Sequence, residues 1–495
     1  MNQNTSRGDQ HCNRFQRLIL VLFFILTLGL VGTFLQASVG HGTSRAASGH
    51  ATSSKAQKIL DRWRKRKSLK GLRIGIAMKG VKSQHRAETD ADRLYNPASG
   101  TKLLTTVAAM QTWPLEKHFP SKIFGRIIQG ESASGDLLVV GGGTPDLSAS
   151  DLQNIASRLK SHGLRRVAGP LRVSLSAFNS NTLPPAYEQK ATTSGYRASI
   201  GAFGVDYGAV TLAIDPTAAP PNALVSLASA PGYAVINNRA RRSSGAKNLL
   251  SYSLVELEDG RMRVDVSGRI GKKHPPFIKR IRMLNPDFGG AHILLHSLAT
   301  AGIDVKGGIE LTRDAPGELP PLVNHRGKPL QQLLEGINTY SNNFMAETVF
   351  KHLGNTWSES QQTVGRALEK LGLPKGSFHI VNGSGLYKAT RITPRSMLLL
   401  LIRMAEDQAS GPLFRATLAR SGRPGTLERR FRRRLKGRVH AKTGTLNEVV
   451  SLSGYVTSRH SGELAFAIFI NDSTEERIPA VRREIDRLIR LWSRL

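Results

Sequence analysis

Residues 96–113 read NPASGTKLLTTVAAMQTW, and this stretch decides how the rest of the chain is interpreted. Residues 103–113 are mostly apolar and contain no glycine, which predicts a buried helix. Ser99 and Lys102 stand three positions apart at its start, so they share one helix face and the amine can reach the hydroxyl. A free lysine has a pKa of about 10.4, so a lysine base here needs burial and a second cation to lower that pKa.

Two shorter motifs downstream complete the pattern. Residues 341–343 (SNN) join two predicted helices, and residues 442–445 (KTGT) begin a predicted strand. Taken singly each motif is weak, because Ser99 could simply cap a helix and Lys442 could be a solvated strand end. In this order, S-x-x-K, S-x-N and K-T-G form the motif set of penicilloyl serine transferases. Lys442 is then the expected second cation, and the backbone N–H groups of Ser99 and Thr445 are expected to form an oxyanion hole.

The remaining pattern predicts helix and sheet at both ends of the chain, enclosing a β-rich middle section. Apolar alternation predicts strands, and apolar spacing of three or four residues predicts helices. The middle section, from about residue 137 to residue 313, shows short alternating strands with one helical stretch at residues 291–301. Outside it the predicted strands are 72–78, 449–455 and 464–471, and the predicted helices are 56–69, 103–113, 330–337, 343–353, 361–371 and 478–492.

Composition and charge restrict the class of protein. Hydrophobic residues make up 40% of the 495 residues, which is enough for a large core, and the single cysteine, Cys12, excludes an intramolecular disulfide. The 14 histidines show no paired ligand spacing, so no metal and no other cofactor is expected. The net charge of +34 favours a polyanionic partner, either anionic cell-envelope polymers or a membrane surface. Nucleic acid is not expected, because zinc-finger spacing and basic–aromatic stacking motifs are missing.

Two segments suggest where the protein works. Arg14 and Arg17 precede an apolar run at residues 18–35, and a Gly/Ser/His-rich stretch follows at residues 40–54. This order predicts a signal peptide or a short membrane anchor, hence an exported protein in the periplasm or on the outer face of the cytoplasmic membrane. Residues 429–442 carry eight Lys or Arg and no acid, which indicates either a solvated basic helix or an envelope-binding patch.

From about residue 56 to residue 472 the chain resembles the class C low-molecular-mass penicillin-binding proteins, which are D-alanyl-D-alanine carboxypeptidases and endopeptidases. Thr144 and Asn382 stand where that family more often has an acidic residue. Besides the three motifs, the resemblance rests on residues 96–99 (NPAS), 141–147 (GGGTPDL), 382–386 (NGSGL), 425–427 (GTL) and 453–455 (SGY).

The resemblance implies an α/β fold, specifically an α+β sandwich of the β-lactamase/transpeptidase type. A large β-rich insertion would lie between the S-x-x-K and S-x-N motifs, because Lys102 and Ser341 are 341 − 102 = 239 positions apart. The implied partners are a peptidoglycan peptide as substrate and β-lactams as inhibitors. The implied domains are a signal peptide or anchor plus linker at 1–50, a first catalytic part at 51–126, the insertion at 127–325 and a second catalytic part at 326–495.

The resemblance also implies a role for each motif residue. Ser99 attacks the carbonyl between the two terminal D-alanines of a stem peptide, and Lys102 takes its proton. Asn343 holds the substrate amide and contacts Lys102, while Ser341 relays a proton to the leaving amine. The terminal carboxylate is received by the K-T-G segment, that is, by Lys442, Thr443, Gly444 and Thr445.

Two other functions stay open at this point, a β-lactamase of the same fold and a non-catalytic cell-wall-binding module. The intact motifs argue against the binding module. Class A β-lactamases deacylate with a glutamate, usually followed four residues later by asparagine. None of the glutamates between Asn343 and Lys442 has that context, so a long-lived penicilloyl adduct is expected at Ser99.

Overall fold

The computed structural model describes residues 54–495, except residues 129–131, 134, 218–223 and 389. The apolar run at residues 18–35 and the predicted domain at residues 1–50 therefore lie outside the described residues. Within the described part, none of the helices is both long enough and apolar enough to cross a bilayer.

The described residues contain ten α-helices: α1 (Lys55–Arg64), α2 (Thr101–Thr112), α3 (Ala149–Ser161), α4 (Pro286–Thr300), α5 (Leu330–Thr339), α6 (Asn343–His352), α7 (Trp357–Lys370), α8 (Pro394–Glu406), α9 (Ser410–Thr417) and α10 (Ile478–Trp492). The same residues contain 24 strands: β1 (Arg73–Gly80), β2 (Arg86–Thr89), β3 (Ser121–Phe124), β4 (Ile127–Ile128), β5 (Ser132–Ala133), β6 (Leu137–Val140), β7 (Arg166–Val167), β8 (Leu171–Ser174), β9 (Ala209–Asp215), β10 (Leu224–Leu227), β11 (Ala234–Asn238), β12 (Arg241–Ser243), β13 (Asn248–Glu256), β14 (Met262–Gly271), β15 (Phe277–Arg282), β16 (Asp304–Val305), β17 (Ile309–Thr312), β18 (Val323–His325), β19 (Phe378–His379), β20 (Arg391–Ile392), β21 (Ala419–Arg420), β22 (Val439–Leu446), β23 (Val449–Thr457) and β24 (Glu463–Asn471).

A six-stranded antiparallel sheet, in the order β2-β1-β24-β23-β22-β21, forms the centre of the sandwich. Successive side chains of a strand face opposite sides, so a strand that is apolar throughout must be covered on both. In β24, Phe466 and Ile468 belong to the core shared with α1 and α10, whereas Ala467 and Phe469 belong to the core shared with α2 and α8. The predicted α+β sandwich is confirmed by this arrangement.

The S-x-x-K helix is largely enclosed by the sandwich. Residues 101–109 of α2 are all buried, and α2 packs against α5, α6 and α7. The predicted buried helix at residues 103–113 is therefore confirmed, and it starts two residues earlier than the apolar run. The predicted terminal helix is confirmed as α10, whose buried side chains recur at spacings of three and four.

The middle section is β-rich, as predicted. Its strands, together with the flanking β3, β4, β5 and β18, form a five-stranded sheet, β17-β8-β6-β3-β18, and three smaller ones, β16-β7-β5-β4, β10-β9-β15 and a group of β11, β12 and β13 around β14. The prediction of a single helix in it is wrong, because α3 accompanies α4. Ser148 and Asp151 form a capping box at the start of α3, a signal that the sequence carries. The division into domains at 126/127 and 325/326 stays a prediction.

Of the two interpretations of residues 429–442, the basic helix is wrong, and the envelope-binding patch stays a prediction. The segment consists of turns and a short 3₁₀ helix, Arg433–Leu435, and β22 begins at Val439. Phe431 and Arg433 have φ values of 54° and 63°, in the left-handed region that interrupts a right-handed helix. Two helices before this segment, α8 and α9, were not predicted.

Candidate active site

The predicted nucleophile, Ser99, lies in a 3₁₀ turn, Ala98–Gly100, directly before α2. Its side chain does not cap the helix, so the simple N-cap interpretation is wrong. Ala98 has a φ of 47°, and Asn96 supports this conformation because its Oδ1 accepts the Ala98 N–H at 2.8 Å. Asn471 fixes Asn96 in turn, accepting its backbone N–H at 2.9 Å and donating to its carbonyl at 3.1 Å. The turn thus holds the Ser99 hydroxyl, which is partly exposed, in one place.

Lys102 lies fully buried beside Ser99. Its Nζ donates to Ser99 Oγ at 3.0 Å, to Asn343 Oδ1 at 2.7 Å and to the carbonyl of Ser384 at 2.9 Å. Burial lowers the pKa of Lys102 to about 7, while the charge of Glu347 raises it. A lysine with a pKa near 7 is about half neutral at neutral pH, and Lys102 lies within hydrogen-bond reach of the hydroxyl that it is predicted to deprotonate.

The second lysine, Lys442, is fully buried and is paired with the S-x-N motif. Its Nζ donates to Ser341 Oγ at 2.9 Å and to the carbonyl of Thr443 at 2.8 Å. Burial lowers the pKa of Lys442 well below its usual range, and the charge of Lys102 lowers it further. Ser341 adopts a φ of 60°, and Asn342 then caps α6 by accepting the N–H of Met345. This turn brings Ser341 to one lysine and Asn343 to the other.

The K-T-G segment lies in the middle of β22. The prediction that it begins the strand is therefore wrong. On the outer edge of β22, β21 pairs only with His440 and Ala441. The backbone N–H groups of successive residues in a strand point alternately to its two edges. The N–H groups of Thr443 and Thr445 therefore point to the edge that β21 leaves uncovered. Gly444 packs closely against the 3₁₀ turn that contains Ser99. A Cβ at Gly444 would come within 2.6 Å of the Pro97 carbonyl oxygen. Only glycine allows this contact between β22 and the turn.

The structure adds a buried acid that sequence reasoning passed over. Glu347 lies one turn after Asn343 on α6 and is fully buried. Its two carboxylate oxygens accept the N–H groups of Gly383 at 2.9 Å and Ser384 at 2.8 Å. Burial raises the pKa of Glu347, and these hydrogen bonds and the charge of Lys102 lower it. Glu347 thus fixes the loop whose Ser384 carbonyl accepts from Lys102; the i, i+4 spacing from Asn343 was the available signal.

Three further contacts reach the site from unexpected elements. Tyr187, from the middle section, places its hydroxyl 3.0 Å from Ser384 Oγ, and the carbonyl of Tyr196 accepts the Asn343 Nδ2–H at 3.0 Å. Arg482, on α10, donates to Thr445 Oγ1 at 2.9 Å. Residues of the β-rich section and of the terminal helix therefore complete the cleft.

The two positions that depart from the family pattern play different parts. Asn382 supports the 382–386 loop: its Oδ1 accepts the Gly385 N–H at 2.8 Å, and its Nδ2 donates to the Pro185 carbonyl at 2.9 Å. An aspartate could not make the second bond. Thr144 is buried in the middle section, where its hydroxyl donates to the Phe119 carbonyl. Within the described residues, no group of three or more His, Cys, Asp or Glu is arranged to hold a metal ion.

Comparison with known proteins agrees with this geometry. A sequence model of the D-Ala-D-Ala carboxypeptidase 3 (S13) family matches residues 56–491. The chain belongs to this family. It is 30% identical over 406 residues to a D-alanyl-D-alanine carboxypeptidase of Actinomadura sp. (strain R39), covering 76% of this chain and 73% of that one. It is 25% identical over 434 residues to the D-alanyl-D-alanine carboxypeptidase DacB of Haemophilus influenzae, covering 84% and 90%.

The fold also matches solved structures. The crystal structure of penicillin binding protein 4 (dacB) from Haemophilus influenzae superposes with a TM-score of 0.75 at 22% identity, covering 89% of this chain and 98% of that one. A Bdellovibrio bacteriovorus predatory endopeptidase, Bd0816, superposes with a TM-score of 0.52 at 14% identity, covering 84% and 94%. The predicted family resemblance, fold class and enzyme class are confirmed: this S13 member is a serine-type D-Ala-D-Ala carboxypeptidase. The roles of the individual site residues stay predictions.

Proposed function

We propose that the S13 chemistry of this protein runs through an acyl-enzyme at Ser99. The observation that carries the proposal is the 3.0 Å contact between the Lys102 Nζ and the Ser99 Oγ, in a site that lowers the lysine pKa to about 7. Ser99 Oγ bonds to the penultimate D-Ala carbonyl carbon of a peptidoglycan stem, and neutral Lys102 takes the hydroxyl proton. The C–N bond then breaks, terminal D-Ala leaves with a proton, and water hydrolyses the ester.

The proton for the leaving amine is proposed to arrive through Ser341. Its hydroxyl already accepts from Lys442 at 2.9 Å, and Asn343 connects the same motif to Lys102 at 2.7 Å. The two lysines are therefore linked through one turn of chain. The positive charge of Lys102 lowers the pKa of Lys442. Lys442 therefore carries its charge more readily when Lys102 is neutral.

The terminal carboxylate of the substrate is proposed to lie along the uncovered edge of β22. Thr443 and Thr445 offer hydroxyl and backbone donors there, and Lys442 supplies positive charge. Arg482 adds a second cation, since its guanidinium already bonds Thr445 Oγ1. The N–H groups of Ser99 and Thr445 would bind the oxyanion, which is worth a few kcal/mol of transition-state stabilisation.

The β-lactamase alternative is disfavoured by the surroundings of Glu347. This acid lies next to Lys102, but it is fully buried, and each of its oxygens accepts an N–H group, from Gly383 or from Ser384. It therefore supports a loop and does not hold a hydrolytic water against an acyl-enzyme.

The test is release of D-Ala from a stem pentapeptide by the wild type and by Ser99→Ala. Cleavage of cross-bridges in purified sacculi separates endopeptidase from carboxypeptidase action. No D-Ala release together with rapid penicillin hydrolysis would refute the proposal.

An exported location, in the periplasm or on the outer face of the cytoplasmic membrane, is proposed from the apolar run at residues 18–35 and the cell-wall substrate. The net charge of +34 supports binding to anionic envelope components. Fusing residues 1–54 to a reporter that is active only after export tests the location, and a cytoplasmic reporter would contradict it. Retention on sacculi should fall steeply with salt, since surface attraction is screened over about 10 Å at 0.1 M.

A further inference from the structure

A dense arginine cluster lies at the carboxyl end of α10, beyond Arg482 and the catalytic motifs. Arg490 and Arg494 line two adjoining depressions of about 70 and 400 Å³. We call the surface formed by the arginines of these depressions the arginine face; its members are Arg432, Arg434, Arg438, Arg459, Arg487, Arg490 and Arg494.

The arginine face carries positive charge that the protein itself does not neutralise. Of the acids on α10, Glu484 is engaged by Arg66 and Asp486 by Arg430. Across the described ranges, no member of the arginine face forms an ion pair with a carboxylate. Arg487 and Arg490 stand three positions apart on α10, where like charges repel each other, and Arg494 follows just beyond the end of the helix. Such a cluster is expected to recruit anions from outside.

The arginine face lies beside the point where the chain enters the sandwich. Helices α1 and α10 pack in opposite directions, because Trp63 Nε1 donates to the Glu484 carbonyl at 2.9 Å and Trp492 Nε1 donates to the Ala56 carbonyl at 3.4 Å. The start of α1 is therefore next to the carboxyl end of α10. Residues 36–54 separate it from the apolar run, and even fully extended they span at most about 65 Å.

We propose that the arginine face binds the phosphate groups of anionic phospholipids, in the membrane that residues 18–35 would enter as an anchor. Neither depression is lined by a lysine, and the planar guanidinium of arginine matches phosphate oxygens in pairs. Phosphate groups at a membrane surface would meet several guanidinium groups at once in these depressions, and the first described residues lie beside them. The proposal rests on the exported, membrane-held location and not on the peptidase chemistry.

The test is binding of the full-length protein to two kinds of vesicle, phosphatidylcholine alone and phosphatidylcholine mixed with phosphatidylglycerol. The variant is the triple substitution R487Q/R490Q/R494Q. The matched control is R269Q/K272Q/K273Q, which removes the same charge from exposed residues of the middle section. Each basic residue near an anionic surface contributes about fivefold in affinity. The triple variant should therefore lose about 100-fold of the gain that phosphatidylglycerol gives, and the control should keep most of it.

Three results would overturn the proposal. The first is an equal loss in both triple variants, which would mean net charge alone is responsible. The second is no gain from phosphatidylglycerol in the wild type. The third is unchanged vesicle binding in the R487Q/R490Q/R494Q variant with lost retention on purified sacculi, which would assign the face to a wall polymer. Labelling of Ser99 by a fluorescent penicillin should stay at the wild-type level in both variants. That readout shows that they fold, and it separates a failure of this proposal from a failure of the proposed catalysis.

Discussion

Replacing Glu347 by Gln is expected to move the acid limb of the acylation pH profile to lower pH. Lys102 works as a base only when neutral, so the acylation rate rises with pH through the lysine pKa, which is about 7. The charge of Glu347 raises that pKa against the effect of burial. Removing an opposite charge at close range shifts a pKa by about one unit or more, so the variant should titrate near pH 6 or below.

The size of the effect follows from the titration itself. With a pKa of about 7, roughly a tenth of Lys102 is neutral at pH 6, and with a pKa of about 6 half of it is neutral. Relative to its own plateau, Glu347→Gln should therefore acylate about fivefold faster at pH 6 than the wild type does. The acylation rate at the high-pH plateau should itself fall. In the wild type the N–H groups of Gly383 and Ser384 bond the two carboxylate oxygens of Glu347, whereas a Gln side chain offers them only one acceptor oxygen.

The assay is the second-order rate constant for acylation by a fluorescent penicillin, measured across the acid limb and normalised to each protein's plateau. Glu369→Gln is the control, because Glu369 is an exposed residue of α7. An acid limb that stays in place or moves to higher pH in Glu347→Gln would refute the reasoning, because Lys102 would then not be the titrating base that Glu347 tunes.

Three other predictions concern the same site. Lys102→Met should lose acylation. Between about pH 7 and 10 the buried lysine binds fewer protons in the folded protein than in the unfolded chain, so it makes the wild type more stable as the pH rises. The Tm of Lys102→Met should therefore rise less over this pH range than the Tm of the wild type. A Tm profile as steep as the wild type's would contradict this. Arg482→Gln should raise KM for a D-Ala-D-Ala peptide several-fold, which is about the contribution of one part-exposed charge-assisted hydrogen bond. Arg483→Gln is the control and should leave KM unchanged. Equal effects of the two would remove Arg482 from the carboxylate site. The penicilloyl adduct should last minutes or longer; hydrolysis at many turnovers per second would instead indicate a β-lactamase.

Local spacing made the core of the site predictable. Ser99 and Lys102 are one helix turn apart, so helix geometry alone brings their side chains together. The motif order then placed Ser341 and Lys442 in the same cleft, where the structure joins them at 2.9 Å. The terminal helix was predictable for the same reason, since its apolar spacing matches the helical period.

Contacts that depend on tertiary packing were not predictable. The i, i+4 spacing of Glu347 from Asn343 places it on the same face of α6, but it comes near Lys102 only because α6 and α2 pack together. Tyr187 and Arg482 come from the middle section and the last helix, and nothing local marks either as part of the cleft. The basic segment at residues 429–442 was misread because charge composition does not determine backbone conformation; Phe431 adopts a left-handed φ there.

Intact-mass spectrometry after exposure to a penicillin tests the central claim most directly. The wild type should gain the mass of one penicilloyl group, located on the peptide that contains Ser99, because the Ser99 hydroxyl lies 3.0 Å from a buried lysine base. Ser99→Ala should gain nothing while keeping the wild-type Tm. An adduct that persists on Ser99→Ala would contradict the account.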